Sequence, residues 1–289
     1  MTSGNPWVTA QWLDDLLQHN PPAETWRLLE VGYNAEPTYR AGHIPGAHYI
    51  DTQLVESLPL WNVVPPEILR AVLCRYGLRS DMTVILYGRG NHAAERLAHI
   101  LLYAGVNDVR LLNGGWQSWQ RAGLRQTIDL PSAITAQDFG APLPSQPDVL
   151  LNLAQTRQRM AQPETVLVSV RSWDEFSGNS SGYHYISTAG DIPGARWGHA
   201  GGNSQFITDY HHPDGTVRSP QEIAALWQQQ GITADQQVIF YCGTGWRASL
   251  AFLLARALGW QKIAVYDGGW FEWSQQQKME QTDDNPENS

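Results

Sequence analysis

Cysteine and basic residues are scarce in this 289-residue sequence. With two cysteines, Cys74 and Cys242, the chain cannot build a disulfide framework. Its 19 Lys and Arg stand against 28 Asp and Glu, which gives a formal net charge of -9. Nucleic acids and anionic membranes both require a basic surface, so neither is expected as a partner. The fold must therefore depend on hydrophobic cores, for which the 42% hydrophobic residues are sufficient.

Long apolar runs are also missing. The most apolar helix-like stretch, Ser249–Trp260, is too short to cross a bilayer and contains Arg256. The first residues do not show a charged segment followed by an apolar one, so no signal peptide is predicted. A cytoplasmic location is expected, with a periplasmic one open if the N-terminus has been processed. No Cys and His spacing indicates zinc, and the turn-like sequence at His211 and His212 predicts a surface loop.

The two halves of the chain repeat one plan. Thr83–Tyr87 matches Gln237–Tyr241 at an offset of 154 residues, and Ile44–Ala47 matches Ile192–Ala195 at an offset of 148. In each half, short apolar runs alternate with amphipathic helical stretches. This alternation predicts an α/β fold of two similar domains, each a small parallel sheet wrapped by helices.

The repeat also predicts the domain boundaries. We place a first domain at 5–127 and a second at 149–277, joined by a linker at 128–148 that is rich in Pro, Ala and Ser. The polar, acidic segment 278–289 is predicted to be disordered. Within the first domain, the pattern predicts three strands, at Arg27–Val31, Val84–Tyr87 and Val109–Leu112, and three helices, at Thr9–Gln18, Pro66–Tyr76 and His92–Ala104.

One stretch of the second half carries the candidate chemistry. Val238–Tyr241 is predicted to be a buried strand that ends at Cys242, and a helix is predicted from Ser249 to Leu258. Backbone amides and the positive end of a helix both favour an anion, including a thiolate, at such a junction. The glycines of Cys-Gly-Thr-Gly-Trp-Arg let the loop curl, and Arg247 suits oxyanions. The stretch therefore predicts an anion-binding loop around a nucleophilic sulfur.

This loop, with Ile192–Ala195 before it and Tyr266–Trp270 after it, resembles the loop of rhodanese-family sulfurtransferases. Related phosphatases and arsenate reductases use a longer loop, whose arginine lies six positions after the cysteine. Here that position is Ala248, and Arg247 lies at the fifth, which favours sulfur chemistry. A Cys-dependent phosphatase or arsenate reductase and a non-catalytic sulfur-carrier module remain the alternatives.

The resemblance implies that Cys242 is the nucleophile. It would carry a sulfane sulfur as a persulfide from a small-molecule donor, thiosulfate or 3-mercaptopyruvate, to a thiol or cyanide-type acceptor, without a metal or an organic cofactor. It also implies that Arg171 contacts the oxyanion of the donor. The remaining residues implied in substrate binding are those of the loop: Gly243, Thr244, Gly245, Trp246 and Arg247.

The Gly-Thr-Gly of this loop is closer to members that take 3-mercaptopyruvate. In those members, the loop hydroxyl works with an Asp and a His of the first domain; Asp51 lies in the corresponding region, but no histidine occurs from 52 to 66. At the offset of 154, Gly88 replaces Cys242 and Ala93 replaces Arg247, so the first domain is expected to be inactive. The resemblance to tandem members of the family implies that this domain packs against the second and helps to wall the pocket. The tryptophans that follow the Gly-Gly turns are expected to be core residues: Trp116, Trp119, Trp270 and Trp273.

Overall fold

A computed structural model describes residues 4–19, 22 and 24–283 of the chain. Helices and strands alternate along both halves. The strands are β1 Trp7–Val8, β2 Trp26–Gly32, β3 His48–Asp51, β4 Glu56–Ser57, β5 Asn62–Val63, β6 Thr83–Tyr87, β7 Asp108–Leu112, β8 Leu150–Leu151, β9 Thr165–Ser169, β10 Arg196–Trp197, β11 Gln237–Tyr241 and β12 Ile263–Tyr266. The helices are α1 Ala10–His19, α2 Glu36–Arg40, α3 Pro66–Arg75, α4 Ala93–Ala104, α5 Gly115–Arg121, α6 Leu153–Met160, α7 Trp173–Phe176, α8 Pro220–Gln229, α9 Trp246–Ala257 and α10 Gly269–Asp283.

Each half forms a five-stranded parallel sheet. The strand order is β1-β7-β6-β2-β3 in the first half and β10-β9-β11-β12-β8 in the second, which is the same order read from opposite edges. The central strands β6 and β11 are buried along most of their length because helices cover both faces of the sheet. The predicted α/β fold of two parallel-sheet domains is therefore confirmed, and so is the internal repeat.

The predicted elements of the first half all form, with ends within two residues of the prediction. The four tryptophans expected in the core are at most 7% exposed. Ser219 accepts the amide of Glu222 and starts α8 with a capping box.

Two predicted boundaries are wrong. Helix α9 begins at Trp246, three residues before the predicted start at Ser249, because the positive φ of Gly245, +91°, turns the chain into the helix at once. Helix α10 continues to Asp283 through the first part of the predicted disordered tail. There it contacts the rest of the second half: Arg157 of α6 lies 2.8 Å from Glu280. The rest of that tail, 284–289, lies outside the described residues.

The predicted linker is packed against the first half. Phe139 is fully buried, and its carbonyl accepts the amide of Ser80 at 2.8 Å. A single turn of 3₁₀-helix, Pro147–Val149, ends the segment. The linker therefore fixes where the second half begins relative to the first, while the exact domain boundaries remain a prediction.

Helices α4 and α9 pack against each other and join the two halves. Leu97 and Leu101 of α4 belong to the same buried cluster as Leu250 and Phe252 of α9. The His99 ring meets the Phe252 ring edge to face at 4.5 Å. Helix α4 follows the loop after β6, and α9 follows the equivalent loop after β11, which carries Cys242. Their contact therefore brings this predicted catalytic loop, residues 242–247, next to the first half.

A buried group of three charges crosses this interface. Arg96 of α4 is fully buried; its Nε donates to Glu56 at 2.7 Å and its Nη2 to Asp267 at 2.5 Å. Asp267 also accepts the backbone amide of Val63 at 2.8 Å. Burial raises the pKa of Glu56 to about 7 although the charge of Arg96 opposes this. One guanidinium thus fixes a carboxylate from each half.

We expect Arg96→Leu to lower the free energy of unfolding by about 3–5 kcal/mol, because it leaves two buried carboxylates without their cation. Arg40→Leu is the matched control: its pair with Glu36 is about half exposed on both sides and should contribute less than about 1 kcal/mol. Urea denaturation of both variants measures the difference. Equal, small losses would contradict a structural role for Arg96.

Candidate active site

The predicted catalytic loop lies at the carboxyl end of β11. Cys242 follows the last strand residue and is 1% exposed, and α9 begins four residues later at Trp246. The helix is twelve residues long, so its positive N-terminal end is well developed. The structure therefore brings the thiol to the strand-helix junction that the sequence predicts.

Backbone hydrogen bonds fix which way this loop faces. The carbonyls of Cys242 and Gly243 accept the amides of Trp270 and Phe271, at 2.8 and 3.1 Å, and so cap the start of α10. None of the amides of residues 243–247 donates to an oxygen of the described residues. The carbonyls are thus used internally, while the amides remain available for an anion.

Two glycines of the loop have no room for a side chain. A Cβ on Gly245 would lie 2.8 Å from Nη1 of Arg96, and its φ of +91° already disfavours other residues. A Cβ on Gly243 would overlap the ring of Tyr183. Arg96 and Tyr183 therefore pack directly against the loop that carries Cys242.

Arg247 is held by a buried carboxylate. Its two Nη atoms donate to the two oxygens of Glu175, at 2.9 and 2.8 Å, and it also donates to the hydroxyl oxygen of Tyr183 at 2.6 Å. Burial alone would raise the pKa of Glu175, but the hydrogen bonds and charge of Arg247, aided by Arg171, outweigh it and lower the pKa to about 2. The pair is therefore ionised and rigid at neutral pH.

The structure places Arg171 behind this pair. Its guanidinium is fully buried and bonded to the carbonyl of Gly190 at 2.6 Å and to Asp191 at 3.1 Å, and its Nε lies 3.5 Å from Glu175. Neither Arg171 nor Cys242 lines the cavity that adjoins the loop, whereas Thr244, Trp246 and Arg247 do. The guanidinium of Arg171 is thus bonded to groups inside the protein, and its contact with a donor oxyanion stays a prediction.

A cavity of about 500 Å³ opens beside the loop between the two halves. The second half contributes Thr244, Trp246 and Arg247, and the first half contributes Asn91 and His92. The walls are rich in aromatic side chains, with neighbouring ring centroids 5.2 to 6.5 Å apart: Tyr33, Trp61, Tyr183, Tyr185 and Trp246. Such a cavity can enclose a small molecule and favours a cationic or aromatic one.

Tyr183 and Tyr185 were missed in the sequence because they lie in the Gly- and Ser-rich segment 177–190. Burial raises the pKa of Tyr185 to about 12, the hydrogen bond with the Thr244 hydroxyl opposes this, and a charge on Cys242 raises it further. Tyr185 and Thr244 thus lie next to each other in the lining of the cavity. The Ser-x-x-Glu capping box at Ser172 would have pointed to Glu175, whose amide bonds to that serine.

The first half contributes other residues than Asp51. Asp51 accepts the amides of Asn34 and Gln53 and stays outside the cavity lining. Instead, Glu56 accepts the indole N–H of Trp246 at 3.0 Å. His92 is the histidine that the first half places at the cavity, and burial, with His211 and Arg247 nearby, lowers its pKa to about 3. It is therefore neutral at physiological pH.

Within the described ranges, no three His, Cys, Asp or Glu side chains are grouped so as to hold a metal ion. No helix of those ranges is long and apolar enough to cross a membrane. Cys74, in α3, is half-buried and unpaired, away from this cavity.

We expect Gly245→Ala to distort the loop and slow alkylation of Cys242 by iodoacetamide, because the new methyl group meets Arg96. Gly259→Ala is the matched control: its φ is +81°, but nothing lies within 4 Å of the added Cβ. Both variants should lose about 1–2 kcal/mol of stability from backbone strain. Peptide mass spectrometry measures the alkylation, and equal rates in both variants would contradict the steric argument.

Comparison with known proteins agrees with the repeat. A family model described as a rhodanese-like domain matches residues 9–122 and again residues 152–276. The chain is 52% identical over 276 residues to the protein named thiosulfate sulfurtransferase YnjE of Escherichia coli (strain K12), covering 94% of this chain and 63% of that protein. The chain therefore spans less than two thirds of the length of YnjE. The crystal structure of YnjE matches with a TM-score of 0.89 at 50% identity, covering 98% of this chain and 67% of that one.

Two further relatives differ in their named roles. The sulfur carrier protein TtuD of Thermus thermophilus is 32% identical, with 92% of each chain covered. The anaerobic ergothioneine biosynthesis enzyme of Chlorobium limicola, solved in complex with its natural substrate trimethyl histidine, matches with a TM-score of 0.89 at 38% identity. That match covers 99% of this chain and 69% of the other.

Proposed function

Because the chain belongs to the rhodanese family, we propose that it is a sulfurtransferase in which Cys242 carries a sulfane sulfur as a persulfide. The observation that supports this most is the set of unoccupied amides, 243–247, beside a buried cysteine at the N-terminal end of α9. Preorganised donors of this kind stabilise a thiolate and the negative charge of a persulfide.

The reaction proceeds in two displacements. The Cys242 thiolate attacks the outer sulfur of thiosulfate or 3-mercaptopyruvate, and a new S–S bond forms. The bond to the remainder of the donor breaks, and its electron pair leaves on sulfite or, after protonation, as pyruvate. A thiol or cyanide then attacks the outer sulfur of the persulfide and releases the Cys242 thiolate.

We assign the binding of the donor to the loop. The amides of Gly243, Thr244 and Gly245 hold the charge, and Trp246 closes the cavity against the first half. Arg247 supplies a positive charge fixed by Glu175 rather than a free guanidinium, and Arg171 holds that carboxylate in place. A small-molecule acceptor of the thiol or cyanide type and a cytoplasmic location are part of the same proposal.

The first experiment is intact mass after brief exposure of the reduced protein to thiosulfate and, separately, to 3-mercaptopyruvate. We expect a gain of one sulfur atom that Cys242→Ser abolishes and Cys74→Ser does not, since Cys74 lies away from the cavity. The faster donor defines the substrate class, and cyanide or a thiol should remove the sulfur.

Other outcomes identify the alternatives. A persulfide that forms but is not discharged by small acceptors indicates a sulfur carrier, as the relative TtuD is named. No gain from either donor, with hydrolysis of an aryl phosphate that depends on Cys242, would support a phosphatase instead.

The aromatic walls favour a second candidate acceptor, an aromatic compound with a trimethylammonium group. Trimethyl histidine is the natural substrate named for the relative from Chlorobium limicola. Tyr33 and Trp61 meet edge to face at 5.2 Å, and Tyr183 lies 5.2 Å from Tyr185, so several ring faces surround the space beside the loop. Quaternary ammonium ions bind in aromatic enclosures of this kind.

We expect trimethyl histidine to bind the protein, and Trp61→Leu to weaken that binding by roughly 2- to 30-fold, the range of a cation–π contact. Trp12→Leu is the matched control, since Trp12 is 38% exposed on α1 and does not line the cavity. Calorimetric titration measures both. Equal affinity in the two variants, or no binding at all, would rule out this acceptor.

A further inference from the structure

The first half keeps the architecture of the catalytic loop without its thiol. Gly88 follows β6 as Cys242 follows β11, and its carbonyl accepts the amide of Trp116 at 3.0 Å, as Cys242 accepts that of Trp270. Helix α4 then begins at Ala93. The equivalent place in the first half is therefore formed but has no nucleophile.

A cavity of about 530 Å³ opens over this second loop. Gly88 and Gly90 lie at one side of the cavity, and residues 206–218 of the second half close the other. Trp7 and Phe206 supply aromatic surface, and Phe206 is 52% exposed. This cavity is as large as the one beside Cys242, so it can hold a small organic molecule.

Glu95 lines this cavity and has no arginine or lysine partner among the described residues. Its side chain is 16% exposed, and its contacts are with Nδ1 of His92 at 3.9 Å and with its own backbone amide. No side chain or other backbone group among the described residues donates a hydrogen bond to its carboxyl oxygens. Burial raises the pKa of this carboxyl to about 7. A carboxyl group this buried normally has a hydrogen-bonding or charged partner.

The two arginines of the cavity already have carboxylate partners. Among the described residues, the titratable and charged side chains that line it are Arg89, His92, Glu95, His211, His212 and Arg218. Arg89 donates to Glu30 at 2.6 Å, and Arg218 lies 3.4 Å from Glu222. Both arginines are therefore balanced by carboxylates.

The two histidines nearest to Glu95 are not cations at neutral pH. Burial lowers the pKa of His211, and burial with the neighbouring His211 and Arg247 lowers that of His92. Their ring centroids are 5.6 Å apart. Among the carboxylates and guanidinium groups that the described residues place in this cavity, Glu95 is thus the one without a counter-ion.

We propose that this first-half cavity is a second ligand site, in which Glu95 binds the ammonium group of a small organic cation. The ammonium group donates hydrogen bonds to the Glu95 carboxylate and supplies the positive charge that no described residue provides. The aromatic side chains of Trp7 and Phe206 pack against the rest of the ligand. The site lacks a nucleophile, so the ligand is held without covalent chemistry. This proposal does not depend on the sulfur-transfer reaction.

The test uses benzylammonium, with benzyl alcohol and benzoate as neutral and anionic isosteres, in calorimetric titrations of the full chain. We expect benzylammonium to bind and Glu95→Gln to weaken it at least tenfold. Because the ionised fraction of Glu95 grows about tenfold between pH 6 and pH 8, the apparent Kd should fall about tenfold over that range. The pH dependence should disappear in Glu95→Gln.

Two controls keep the result specific. Glu36→Gln, at an exposed carboxylate outside the cavity, should bind as the unchanged protein does. Trp61→Leu, at the cavity beside Cys242, should also leave the affinity unchanged. Thermal unfolding shows whether Glu95→Gln is folded. Loss of binding in Trp61→Leu but not in Glu95→Gln, or equal binding of benzyl alcohol or benzoate, would overturn the proposal.

Discussion

The position of Arg96 is the constraint on which both the domain interface and the reactive loop depend. Its guanidinium is fully buried between Glu56 of the first half and Asp267 of the second. Burying charges is costly unless they are paired with good geometry, so the two halves have one favourable arrangement here. Arg96 also fills the space that a side chain at Gly245 would need. The same ion group thus fixes the relative position of the halves and the shape of the loop.

The two halves show how a repeated fold divides its roles. The carbonyl of Gly88 accepts an amide at the start of α5, and that of Cys242 accepts an amide at the start of α10. Helices α4 and α9 then begin at the carboxyl edge of each sheet. In the second half, Cys242 occupies that edge, and residues of the first half line the cavity that adjoins its loop. In the first half, Gly88 occupies it, and residues 206–218 of the second half supply the opposite wall. Each cavity is therefore built by both halves.

The Arg247–Glu175 ion pair beside the loop stays ionised near neutral pH. Arg247 is bound to both oxygens of Glu175, which keeps the carboxylate ionised to a low pH. Tyr183 and Tyr185 have raised pKa values and remain neutral. Glu175, Tyr183 and Tyr185 therefore each keep one protonation state near neutral pH. This is the condition for a nucleophile whose surroundings need not reorganise during sulfur transfer.

The sequence by itself determined the fold class and the repeat, and it placed Cys242 between a strand and a helix. Those features are local: alternating apolar runs, Gly positions and the Cys-to-Arg spacing are carried by neighbouring residues. The tertiary structure alone decided what surrounds the loop. The residues around the loop are far from Cys242 in the chain: Glu56, Glu175 and Tyr183. Arg171 follows β9, and its guanidinium lies against Glu175 inside the protein. A buried charge is stable only beside a group that pairs with it. Which groups meet depends on how the two halves pack, and a local sequence pattern does not contain that information.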